Sequence, residues 1–139
     1  MTSQRLTLVA ILTLSFAAFA GCKKDDRPQG PESIAVPDVT YSTSATDVEK
    51  GKELFTAKGC SACHKLGGGK LVGPDLKGVT ARRHPKWIAR MILKPDVMLK
   101  EDDIAKDLLK THLTPMTPMN VDPTSDLPFV MAYLKSNET

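Results

Sequence analysis

The sequence predicts an all-α fold of about four short helices joined by loops rich in proline and glycine. Three observations point there. Apolar residues recur at three- and four-residue spacing in several separate stretches. No stretch alternates apolar and polar residues as a half-buried strand would. The 10 prolines and 9 glycines fall mainly between the periodic stretches, where they punctuate the chain. A length of 139 residues with 41% apolar content suits one domain with a modest core. Aromatic residues make up only 5%, a thin supply for an all-protein interior, and a bound group could fill it. The net charge of +3 is close to balance, and no basic stripe interleaved with aromatics is present, so nucleic acid is excluded as a partner.

The first element is a leader. Residues 1–5 carry one positive charge, and Leu6 to Ala20 carry none. That apolar run is short for a membrane span and right for a secretory signal, so residues 1–21 are read as a signal peptide. The stretch Phe19-Ala20-Gly21-Cys22 resembles the lipobox of bacterial lipoproteins. The resemblance implies that Cys22 becomes a lipidated N-terminus and that the protein is exported and anchored to a membrane by acyl chains. The other reading is an ordinary signal peptide with an incidental cysteine. Residues 22–45 show no helical or strand period and are punctuated by Pro28, Gly30, Pro31 and Pro37, so they read as a solvated, flexible tether.

The domain is expected over 46–139. Thr46-Asp47-Val48-Glu49 reads as a capping box with Thr46 as N-cap. Val48, Gly51, Leu54 and Phe55 follow on one helical face, and the helix runs to about Gly59. Gly51 in its middle implies a close packing contact. A second helix is expected from Pro85 to Lys94, opened by Pro85 and stopped by Pro95, with Trp87, Ile88, Met91 and Ile92 inward. A third covers Glu101 to His112, acidic at its start and basic towards its end. The last ends in Phe129–Ser136, with Phe129, Val130, Tyr133 and Leu134 on one side.

Between the first two helices stands Cys60-Ser61-Ala62-Cys63-His64. This C-x-x-C-H spacing is the pattern of covalent c-type haem attachment. Two thiols reach two vinyl groups on one porphyrin edge, and the histidine that follows at once turns under the ring to meet the iron. A thioredoxin-like disulfide would need a βαβ context. A zinc site would need a fourth ligand, for which only His84 or His112 remain. The export signal and the cysteine count favour haem, with Cys22 to lipid and Cys60 and Cys63 to haem.

Residues from about Thr46 to Lys135 resemble a class I, monohaem cytochrome c. The resemblance rests on Gly51…Phe55…Cys60-x-x-Cys63-His64, on Gly73-Pro74-Asp75-Leu76, and on the final Met131–Ser136 helix. It implies that the first and last helices cross at Gly51, near Tyr133 or Leu134. It implies a Pro74 carbonyl accepting a hydrogen bond from His64. It also implies a distal methionine ligand from the Pro-rich loop Leu113–Asp122, either Met116 or Met119. Counting back from the last helix allows an N-cap at Asp122 or at Ser125. The shape Met116-x-x-Met119 favours Met116 as ligand and Met119 as packing, with His112 an outside candidate. Trp87 and Arg90 are candidates for the haem propionates, and Lys65, Lys70 and Lys77 for steering an acidic partner. The function implied is a membrane-tethered periplasmic electron carrier and not an enzyme, exchanging electrons with a membrane oxidoreductase or a periplasmic reductase or oxidase. A haem-based gas sensor or a haem subunit of a redox enzyme is the alternative.

Overall fold

The structure is a computed structural model and describes residues 24–139. The signal peptide and Cys22 lie outside the described residues. Those residues form six α-helices and one 3-10 turn, with no strand among them. The all-α expectation therefore holds, with two more helices than the four that periodicity showed.

Helix α1 spans Ala45–Ala57 and α6 spans Leu127–Ser136. They cross closely and form the most extensive helix pair. Gly51 sits at the crossing, where a Cβ would overlap the Phe129 carbonyl oxygen and come within 2.8 Å of the Tyr133 Cβ. Phe55 then meets Tyr133 edge-on, with ring centroids 5.5 Å apart. The expected capping box does not form. Ser44 is the N-cap, and its hydroxyl pairs with Thr46 Oγ1 at 2.7 Å instead of with a helix N–H. Thr46 is already inside the first turn and cannot cap it. At the other end, α6 begins at Leu127 behind Asp126, not behind Asp122 or Ser125. Pro128 thereby falls in the first turn, where its missing N–H costs nothing.

Three helices build the opposite wall: α3 (Pro85–Leu93), α4 (Pro95–Glu101) and α5 (Asp103–His112). Pro95 ends α3 as expected, but it also opens α4. A proline fits a first turn as well as it stops a previous helix, so a break in the pattern concealed a second start. The Asp102 side chain caps α5 by accepting from the Ala105 N–H at 2.9 Å. The short α2 (Val79–Arg82) is a single turn, too brief to show a period. Met98, Leu127, Val130 and Met131 are among the largest fully buried side chains.

Residues 25–41 differ from the solvated segment that their composition suggested. They lie on the domain as a strap. Ile34 is 5% exposed, and Val36, Val39 and Tyr41 pack against the core. Arg27 Nη1 donates to the Thr80 and Ala81 carbonyls, each at 2.8 Å. Arg90 Nε donates to the Ile34 carbonyl at 2.9 Å, and Arg90 Nη1 to the Gln29 carbonyl at 2.7 Å. An irregular strap held by side-chain bonds leaves no periodic trace in a sequence.

Candidate functional site

Gly59 takes φ 79° just past α1 and turns the chain into the 3-10 turn Cys60–Ala62. The His64 N–H donates back to the Cys60 carbonyl at 3.0 Å, so both thiols and the imidazole are carried on one compact turn. Burial pushes the Cys60 thiol up from its ordinary pKa.

The loop Val72–Leu76 folds against this turn. The Gly73 N–H donates to the Cys63 carbonyl and the Leu76 N–H to the Lys65 carbonyl, each at 2.8 Å. His64 Nδ1 lies 2.9 Å from the Pro74 carbonyl oxygen. A carbonyl only accepts, so Nδ1 carries the proton and donates. The Nε2 lone pair is then free for a metal. Glycine at 73 is a steric requirement, because a Cβ there would lie 2.6 Å from His64 Cε1. Asp75, which sequence reasoning passed over, ties the loop down. Its carboxylate accepts from the N–H groups of Gly67 at 2.8 Å, Gly69 at 2.7 Å and Lys77 at 2.8 Å. The bond from Lys77 and the other two hold its pKa below the usual range. An aspartate two residues before a backbone N–H in a glycine-rich loop was the available signal.

On the other side, Leu113 takes φ 58° and releases the chain from α5 into the methionine loop. Lys58 at the end of α1 holds the far end of that loop, donating to the Asn120 carbonyl at 2.8 Å and pairing with Asp126 at 2.7 Å. Asp122 accepts from the Thr124 and Ser125 N–H groups at 2.8 and 2.7 Å. These bonds push its carboxyl pKa well down, that from Ser125 most.

One cavity collects these pieces. Cys60, Cys63, His64, Pro74, Met116 and Met119, the residues that the sequence singled out first for the cofactor, all line it. Phe55, Leu76, Ile88, Ile92, Leu99, Leu108, Val130 and Leu134 supply apolar wall. Met119 also packs against the hydrophobic core, whereas Met116 does not. Two thiols, an imidazole with Nε2 free, two thioethers and an apolar lining fit a covalently held c-type haem. Among the described residues no three of His, Cys, Asp and Glu group as a metal-binding set.

Three other residues read differently in three dimensions. Arg90 is buried and spends its guanidinium on the strap carbonyls, so it is not the propionate partner that the resemblance implied. Arg82 and Arg83 line the cavity instead. Trp87 lines it too, but its indole N–H is committed to Asp102 Oδ1 at 3.1 Å. His112 lines the cavity with its Nδ1 buried and without a partner. His84 is elsewhere, capping α3 by accepting from the Lys86 N–H at 3.1 Å.

Comparison with known proteins agrees with this geometry. The family model "Cytochrome c" matches residues 48–138. A stretch of 34 residues is 53% identical to cytochrome c-551 of Azotobacter vinelandii, covering 24% of this chain and 40% of that relative. The match thus spans about two fifths of the curated relative. The solved structure of a cytochrome c from Rhodothermus marinus superposes with a TM-score of 0.68 at 28% identity, covering 79% of this chain and 90% of that one. An engineered cytochrome c from the same organism gives a TM-score of 0.67 at 26% identity, covering 79% and 91%.

Proposed function

The chain belongs to the cytochrome c family and carries a covalent c-type haem, and from that premise we propose that it is a membrane-tethered periplasmic electron carrier with His64 and Met116 as axial ligands. The observation that carries the ligand assignment is the shared cavity of Cys60, Cys63, His64 and the two methionines, with His64 Nδ1 donating to Pro74. Bound haem supplies an iron that gains and loses one electron. The residues of this chain do the rest. Cys60 and Cys63 would hold the haem covalently through their thiols. Pro74 sets the tautomer and tilt of the His64 ring. The packing of Met119 against the core leaves Met116 as the thioether free to turn inward. A thioether ligand favours a higher reduction potential than a second imidazole. Apolar walls exclude water.

The proposal extends to the anchor and the partner. The apolar run before Cys22 supports export and lipidation there. No helix of the described residues is long and apolar enough to cross a membrane. Lys65 and Lys77 are exposed, and Val72 stands 39% exposed at the cavity edge, which supports docking to a redox protein with an acidic face.

Absorption spectra of the haem-loaded full chain test this reading. The oxidised protein is expected to be low-spin with the weak thioether-to-iron band, and the reduced spectrum is expected not to respond to carbon monoxide. Met116→Ala removes the band and Met119→Ala keeps it. A reduced protein that carbon monoxide shifts readily overturns the carrier reading in favour of gas binding.

A further inference from the structure

The strap occupies a telling position. Gly30, at φ 82°, brings its backbone so close that a Cβ would lie 3.3 Å from both Trp87 Cδ1 and Met98 Cε. Trp87 is 4% exposed, and its cavity-lining ring is part of the wall around Cys60 and His64. The strap therefore backs the tryptophan from outside while the cavity lies within. Two arginines hold it there. Arg27 reaches two carbonyls within α2, and Arg90 reaches three strap carbonyls, those of Gln29, Gly30 and Ile34. Arg90 stands on α3 three residues beyond Trp87 and is 7% exposed. A buried guanidinium with only carbonyl partners is costly to desolvate. Without the strap those N–H groups would need water in the place of residues 29–34.

We propose that residues 25–41 form the outer layer of the haem cavity, with Arg27 and Arg90 as positioning residues that press this layer against Trp87. The inference rests on the reading that the Trp87-lined cavity holds the haem. The strap then links the membrane-proximal end of the chain to the cofactor's surroundings. Loosening it admits water behind Trp87 and changes the redox properties of the centre, although no strap residue is a ligand.

Trp87 is the only tryptophan, so its emission reports this spot alone. The experiment compares the haem-loaded full chain with Arg90→Gln and Gly30→Ala. The second change lies outside every helix and leaves the α3 sequence intact. Helix content by circular dichroism checks that each variant is folded. Three quantities are measured: thermolysin cleavage within residues 30–41, Trp87 emission, and the reduction potential. The expectation is that cleavage rises about tenfold or more, that the residual emission left after quenching by the haem shifts to the red, and that the potential falls as solvent stabilises the oxidised charge. Faster cleavage with unchanged emission and potential overturns the proposal, for the strap is then a passenger. Unchanged cleavage in both variants overturns it as well, for the clamp then holds nothing. The underlying cavity reading fails separately. In that case haem attachment leaves the wild-type Trp87 emission unquenched.

Discussion

Gly73 carries a constraint that no larger residue could meet. Its Cα faces the His64 imidazole, and a methyl group would lie 2.6 Å from Cε1 and 2.9 Å from Nδ1. The ring cannot retreat without breaking the Pro74 bond that fixes its tautomer. Gly73→Ala is therefore expected to tilt His64, to cost about 1–3 kcal/mol as overpacking does, and to move the haem-loaded spectrum towards high spin. An unchanged low-spin spectrum would show that the ring has room. A second test at this scale concerns Asp25. The Arg27 guanidinium bonded to it holds its carboxyl down at about 2, against an ordinary 3.8. A depressed acid stabilises the fold when ionised. That contribution is present above about pH 4 and is lost as pH falls towards 2. Carbon-detected titration of Asp25 should show a midpoint near 2, moving close to 4 in Arg27→Ala. A wild-type midpoint near 4 would mean the pair does not form. Much at this scale was legible beforehand. The spacing of Cys60, Cys63 and His64 is itself the chemistry, and Pro74 followed from the resemblance. Asp75 left a local signal that was passed over, whereas Lys58 and Arg90 were not legible, since their partners, Asn120 and Asp126 for Lys58 and the strap carbonyls for Arg90, are brought near only by folding.

The crossing of α1 and α6 decides how the first and last parts of the domain meet. At Gly51 two effects of one substitution oppose each other. Alanine would gain about 1 kcal/mol of helix propensity. Its Cβ would also overlap the Phe129 carbonyl oxygen and approach the Phe129 carbonyl carbon to 2.7 Å. The obstacle is backbone, which cannot rotate away, so overpacking at or above the usual upper range of about 3 kcal/mol wins. Gly51→Ala should lower stability by about 2 kcal/mol net, and the thermal midpoint by about 10 °C. A rise in midpoint would mean that the helices separate freely. The glycine was readable in the sequence because it is out of place in a helix. The division of α3 from α4 was not, because Pro95 serves both as terminator and as first residue. The start of α6 was misplaced for a related reason. Asp122 organises a turn through the Thr124 and Ser125 N–H groups, and that turn resembles a helix cap without being one.

For the whole molecule, the strap changes what a tether can do. Read from composition, residues 22–45 would let the domain swing through about 80 Å when fully extended. In the structure the chain is already fastened at Arg27, so with Cys22 as the proposed anchored residue only five peptide steps separate the anchor from the clamp, a reach of at most about 17 Å. Composition could not reveal this, because proline, serine and threonine mark an irregular segment whether it is solvated or docked. If Cys22 is the anchor as proposed, the carrier would be held close to its bilayer and would present the same side to it. Neutron reflectometry of the lipidated protein on a supported membrane should find the protein layer within about 17 Å of the headgroups. Arg27→Ala combined with Arg90→Gln should release the strap and widen that spacing. A wild-type water gap several times larger would show that the segment is free in the membrane-bound protein. A narrow gap that both substitutions leave unchanged would place the close contact in the domain surface itself, and the strap would then have no part in setting the distance over which electrons reach the membrane.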